Sequence, residues 1–166
     1  MSRLAEQLKR QEQSGKCALK LYRCPAGRLT IGWGHNIEAN PLTGFIRYYF
    51  NIHDEITREM ADYMLDQDLV EAALDASEHI PHFAEMDNVR QDVIINMIFN
   101  LGMAGVLGFH DFIRALRSKD YAAAAEAMRD SKWYRQLGGD PAGTNDGVLE
   151  RPEEEIAMMQ TGQYVK

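Results

Sequence analysis

The chain has 166 residues, 45% of them hydrophobic, and a formal charge of −7. That length and apolar content suit one domain with a full core and room for two lobes. The negative balance argues against nucleic acid as a partner, because neutralising phosphates takes clustered Lys and Arg.

No apolar run reaches the length of a membrane span, and the opening MSRLAEQLKRQEQ lacks the apolar stretch of a secretory signal. Synthesis in the cytoplasm, with no membrane anchor, is therefore expected. Ser2 to Gln13 reads as a short amphipathic helix, with Leu4, Ala5 and Leu8 at helical spacing and Gly15 as a stop. Lys20 to Ile37 has strand character, punctuated by Pro25 and Gly27. Asn40 to Asp54 is irregular and aromatic, and is expected to be a loop or short helical insertion packed on the small lobe. Thr57 is a candidate N-cap, with the acidic Glu59 in the turn after it. The helix it opens is predicted to reach about Glu78, where Pro81 stops it. Met60, Ala61, Met64, Leu65, Leu69, Ala72, Ala73 and Ala76 form its buried stripe.

Val89 to Leu101 is a strongly apolar helix, and Gly102, Gly105 and Gly108 are expected to break the next stretch into short pieces. His110 to Arg117, Tyr121 to Arg129 and Ser131 to Gln136 read as further helices, and Gly138 to Gly147 as a loop. Pro152, with three glutamates behind it, marks the first turn of a last helix that Gly162 closes. The expected fold class is α+β and mostly helical. A small β-hairpin lobe (about 14–56) leads into a connecting helix (about 57–79). An all-helical lobe (about 80–166) follows and takes in the N-terminal helix 2–13. A cleft between two such lobes is a common home for a polymer.

The chemistry concentrates at the hairpin. Glu12 stands at the end of the first helix, where the negative end of the dipole opposes ionisation and favours a proton donor. Cys24 lies in the turn and Thr30 on the returning strand. A carboxyl acid facing a small nucleophile or water-holder is the minimum equipment for breaking a glycosidic bond. Gly27, Gly32 and Gly34 suggest a bend and a close backbone approach to a ligand. No Cys/His cluster has zinc-ligand spacing and no Gly-rich phosphate loop is present, so neither metal nor other cofactor is expected.

The run Tyr22-x-Cys24-x-x-Gly27-x-x-Thr30-Ile31-Gly32-x-Gly34-His35, with Glu12 upstream, resembles the phage-type lysozymes (endolysins) of the T-even lysozyme family. Asn96 to Gly102 and Ser131 to Tyr134 match family segments as well. The resemblance implies the family's fold and hydrolysis of the β-1,4 bond between N-acetylmuramic acid and N-acetylglucosamine in bacterial peptidoglycan. It makes Glu12 the acid, Cys24 the nucleophile or water-holder (the family carries Asp or Cys there) and Thr30 a hydroxyl beside the attacking water. It pairs His35 with Asp68 of the long helix, a structural tie, and brings Arg151 to the catalytic glutamate. Phe99 and Asn100 would line the cleft floor, Gly34 would approach the substrate, and Trp133 would anchor the core. Between Glu12 and the hairpin this chain is three residues longer than the pattern.

Some secreted relatives switch activity by cysteine pairing, and a Cys17–Cys24 disulfide would cap the nucleophile until reduced. The resemblance further implies a monomer that waits in the host cytoplasm and reaches the periplasmic wall once a holin or similar protein releases it. Two other readings stay open. A lytic transglycosylase would use the glutamate alone. An inactive wall-binding or phage structural module would keep the fold without the chemistry.

Overall fold

The computed structural model describes residues 3–11, 17–24, 27–131, 133, 134 and 150–165, with the backbone alone at 150 and 151. It divides into two compact units, Met1–Glu71 and Ala72–Lys166.

The first unit holds helix α1 (Arg3–Gln11), strands β1 (Ala18–Arg23), β2 (Leu29–Gly32) and β3 (His35–Asn36), helix α2 (Gly44–His53) and the first part of α3 (Arg58–His79). The strands form one antiparallel sheet in the order β1-β2-β3. The third strand has only two residues, so it carries no alternation for a sequence reading to detect. Leu4, Ala5 and Leu8 of α1 are buried, as their helical spacing requires, together with Ile31, Trp33 and Ile56. The N-terminal helix falls in this unit rather than with the helical lobe. Lys9 Nζ of this helix forms a salt bridge of 2.9 Å with Asp62 Oδ1 on α3.

Helix α3 starts where Thr57 predicts: the Thr57 hydroxyl accepts the Met60 N–H at 3.2 Å. Ala61, Met64, Leu65 and Leu69 are buried in the first unit, and Ala72 and Ala76 join the core of the second. Met60 and Ala73 are half-buried at the edge of the stripe.

Residues 40–54 bear out the short helical alternative of the two expected, but not its packing. They contain a ten-residue helix, α2, in which no residue is buried; Phe45, Tyr48 and Ile52 are exposed, while Tyr49 stacks on His53 at 4.2 Å.

The second unit is all helical. It comprises the end of α3, α4 (Asn88–Leu101), α5 (Met103–Leu107), α6 (His110–Arg117), α7 (Tyr121–Arg129) and a last helix, α8 (Glu150–Thr161). Gly105 lies inside α5 instead of breaking it. Asp87 caps α4 by accepting the Arg90 N–H at 3.0 Å, and Asp120 caps α7 by accepting the Ala123 N–H at 2.9 Å. The carbonyl end of α8 is held by Arg90, which donates to Met159 O at 2.8 Å and Gln160 O at 3.0 Å. The core centres on Val93, Ile94 and Met97 of α4, with Phe112, Leu116, Met128 and Ile156 around them, and Trp133 is buried there as expected. Each such side chain contributes about 1.5–3 kcal/mol on leaving water. The architecture is thus the mostly helical α+β class, a small antiparallel sheet followed by helices. The predicted loop 138–147 and the residues around the short helix, 132 and 135–136, lie outside the described residues; 133 and 134 are helical.

Candidate active site

Residue pairing in the sheet decides which side chains share a face. Tyr22 stands opposite Thr30, and Thr30 opposite Asn36. Cys24 continues the ladder: its N–H donates to Arg28 O at 3.0 Å, and the turn closes when the Gly27 N–H donates to Cys24 O at 2.7 Å. Gly27 takes φ of 78°, a conformation that turn requires. Side chains alternate faces along a strand, so Cys24 projects to the same face as Tyr22, and hence as Thr30. The two are diagonal neighbours, a placement that puts residues about 7–8 Å apart. The sheet therefore brings Cys24 and Thr30 together.

Their surroundings differ. Cys24 is half-buried, whereas Thr30 is 3% exposed and its hydroxyl donates to Arg28 O at 3.0 Å. With its proton engaged, the Thr30 oxygen remains able to accept. Arg23, on the other face, donates to Gly27 O at 2.7 Å and lies 3.6 Å from Glu38.

His35 pairs with Ile31, one residue on from Thr30, and so belongs to the face opposite Cys24. Its Nδ1 lies 2.8 Å from Asp68 Oδ2, and its Nε2 lies 2.8 Å from Asn40 O. Burial pushes the imidazole pKa down, but the Asp68 hydrogen bond and charge outweigh it and hold the value above 6.5. Both ring nitrogens face acceptors, so the ring is tied into the frame and is not a base in waiting.

A second tie spans three elements. Asp62 Oδ1 on α3 accepts from Lys9 of α1 at 2.9 Å and from Trp33 Nε1 in the β2–β3 turn at 2.7 Å, and Arg58 lies over the Trp33 ring at 4.8 Å. Burial pushes the Asp62 carboxyl up, but the Lys9 and Trp33 bonds outweigh it and hold the pKa below its ordinary value. The last turn of α1 is thus fastened to the sheet. Gly34 sits in that same β2–β3 turn with φ of 90°. Gly32, with φ of 67°, packs so closely on α3 that a Cβ there would come within 3.2 Å of Ala61 Cβ.

Helix α1 ends at Gln11; Glu12 itself lies outside the described residues, as do Gln13 to Lys16. Arg151 falls in the first turn of α8, and its side chain lies outside the described residues. Cys17 and Cys24 bracket the extended strand β1. Seven residue steps along it separate them by about 20 Å, against roughly 4–7 Å between the Cα atoms of a disulfide. The sheet as formed excludes the Cys17–Cys24 lock. Cys17 is instead drawn into the Asp62 cluster, where burial pushes its thiol pKa up against the nearby Arg58 charge.

In the second unit, Phe99 and Asn100 are half-buried near the end of α4. Sequence reading missed the two residues beneath Asn100. Asn96 and Glu155 are both fully buried; Asn96 Nδ2 donates to Glu155 Oε1 at 2.6 Å, and Asn100 Nδ2 donates to Asn96 Oδ1 at 2.6 Å. Glu155 is one of the three glutamates that follow Pro152 at the start of the last helix. A position three after Pro152, on the same helical face as Met158 and Met159, was the available signal.

A cavity of about 1130 Å³ between α5, α6 and α7, lined by Phe109, His110, Arg114 and Glu126, holds none of the predicted residues. Among the described residues no group of three His, Cys, Asp or Glu could hold a metal ion, and no helix is long and apolar enough to cross a membrane.

The chain is 30% identical over 146 residues to an endolysin of Acyrthosiphon pisum secondary endosymbiont phage 1, covering 86% of this chain and 87% of that protein. It is 30% identical to probable T4-type lysozyme 1 of Dictyostelium discoideum, covering 71% of this chain and 78% of that one. It is also 29% identical over 150 residues to the pre-baseplate central spike protein Gp5 of Enterobacteria phage T4, covering 82% of this chain but only 26% of the spike protein, about a quarter of its length. The family model described as phage lysozyme matches residues 12–155, from the first proposed site residue to the buried glutamate of α8. On that span the chain belongs to the phage lysozyme family.

Proposed function

We propose that this chain is an endolysin that hydrolyses the β-1,4 bond between N-acetylmuramic acid and N-acetylglucosamine in peptidoglycan and so lyses the host cell. Membership of the phage lysozyme family supports the reaction class. The observation that carries the site is the shared face of Cys24 and Thr30, next to a first helix fastened to the same sheet through Asp62. Glu12 follows the last described residue of that helix.

In this reading Glu12 protonates the leaving oxygen as the glycosidic bond breaks. The Cys24 sulfur attacks the anomeric carbon or holds the water that does. Thr30, whose own proton is engaged by Arg28 O, accepts from that water and orients a lone pair toward the sugar. Gly34 lets the backbone approach the chain of sugars, and Phe99 and Asn100 contribute a stacking surface and an amide. His35 and Asp68 hold the frame. The protein acts as a monomer and meets the periplasmic wall after a holin or similar protein opens the way.

The likeness to a pre-baseplate central spike protein favours one further reading, a structural module of a phage particle. Wall lysis by the parent, Glu12→Gln, Cys24→Ser and Thr30→Ala, measured side by side on permeabilised Gram-negative cells, tests the assignment. Glu12→Gln is expected to be dead and Cys24→Ser severely weakened. Lysis by Glu12→Gln at the parent rate would remove the proposed acid.

A further inference from the structure

Helix α2 turns an apolar stripe to solvent. Phe45, Tyr48 and Ile52 are 67%, 64% and 59% exposed. They stand at i, i+3 and i+7, so they share one side of the helix. Ile46, Tyr49 and Phe50, on the other side, are half-buried. Ten residues are few for a helix to hold its shape in water unaided, and Thr43 at its start supplies no side-chain cap. A surface that covered the stripe would therefore stabilise the helix as well as its side chains.

The chemistry of the stripe selects that surface. Arg47 and Asn51 flank it on the exposed side, and no residue of α2 is a carboxylate. A glycan would stack on the two rings, but Ile52 offers it neither a flat face nor a hydrogen bond. Symmetric pairing of two copies through this side would bring two arginines together, with no α2 carboxylate to offset them. A phospholipid surface suits all four side chains. Aromatic rings favour the headgroup level, Ile52 the acyl boundary, and a flanking arginine can reach a lipid phosphate. The exposed apolar residues of α3 differ in this respect: Val70 has the exposed carboxylates Asp66 and Glu71 beside it. The net charge of −7 opposes a strongly anionic membrane, so the stripe supplies the attraction and Arg47 a local phosphate contact.

We propose that α2 is a membrane-interface helix, which lays Phe45, Tyr48 and Ile52 into the surface of a phospholipid bilayer with Arg47 against a phosphate. It holds the protein reversibly on the bilayer, independently of the catalytic assignment.

Flotation of the full chain with vesicles of phosphatidylcholine and a minor share of phosphatidylglycerol tests this, with hydrogen exchange of Gly44–His53 followed in parallel. The parent is expected to float, and vesicles should slow exchange of the α2 amides. The double variant Phe45→Ser/Tyr48→Ser should lower the partition coefficient at least about tenfold. Arg47→Glu should lower it about fivefold or more. Val70→Ser, a control on α3, should stay within about twofold of the parent. The altered side chains are exposed, so melts should stay close to the parent, as should digestion of purified, lipid-free wall. If the double variant does not fold, Arg47→Glu and the exchange of the parent decide. No flotation of the parent, or equal flotation of parent and double variant, would overturn the proposal. So would protection of α2 by soluble peptidoglycan fragments in place of vesicles. A dimer in sedimentation that the double variant abolishes, without vesicle binding, would assign the stripe to a second copy instead.

Discussion

Replacing His35 by asparagine is expected to cost stability well before activity, and with a distinctive pH dependence. The imidazole and the Asp68 carboxylate are 2.8 Å apart, with side chains only 10% and 12% exposed. Removing one partner of such a shielded pair leaves the other charge uncompensated, at about 3 kcal/mol. For a protein of this size that corresponds to a fall in Tm of roughly 6–12 °C. The sign with pH follows from the direction of the shift. Burial lowers the imidazole pKa, Asp68 raises it more, and the folded value lies above 6.5. The charged pair therefore contributes fully below pH 6.5, and its contribution is lost as pH rises through the folded value. Denaturant melts of parent and His35→Asn at about pH 5.5 and about pH 9 should show the larger gap at the lower pH. Asp68→Asn should produce the same trend, and wall lysis per folded molecule should survive in both. An equal gap at the two pH values, or none at either, would refute the assignment of the pair as the clamp of the first unit.

Three further outcomes concern the first unit. Titration with a thiol reagent after air exposure should find both Cys17 and Cys24 reduced, because β1 holds them at opposite ends; loss of both thiols in a monomer would contradict the sheet pairing. Asp62→Leu should cost about 2–3 kcal/mol in urea melts, by stripping Lys9 and Trp33 of their shared acceptor, and should slow lysis by loosening the end of α1. Parent lysis by a folded Asp62→Leu variant would show that this tether does not position Glu12. Gly32→Ala should lower Tm, since φ of 67° is strained for any other residue and the added Cβ would crowd Ala61 at 3.2 Å.

Much of the architecture was legible in the chain because local rules govern it. Thr57 capped the long helix as its hydroxyl promised, and Ala61, Met64, Leu65, Leu69, Ala72 and Ala76 of the stripe were buried as their spacing required. Helix α2 was harder to read: its aromatics are not gathered on a buried face, so no apolar stripe advertised a helix. The two-residue strand β3 was too short to show alternation. At the site, the turn around Cys24 and the tie between His35 and Asp68 were legible through the family's pattern. The Lys9–Asp62–Trp33 cluster and the Asn96–Glu155 pair were not, because they join residues 29 to 59 apart in sequence. Glu155 shows the point: among three acidic neighbours at a helix start, only its place on the face of Met158 and Met159 hints that it is the fully buried one.

The central claim is that Glu12, which follows α1 in sequence, and the Cys24 sulfur cut the glycan between N-acetylmuramic acid and N-acetylglucosamine. Mass spectrometry of purified peptidoglycan digested by the parent and by Glu12→Gln tests it most directly. The account predicts fragments ending in reducing N-acetylmuramic acid from the parent and intact glycan from the variant. Fragments ending in 1,6-anhydro sugars, or equal digestion by both proteins, would contradict it.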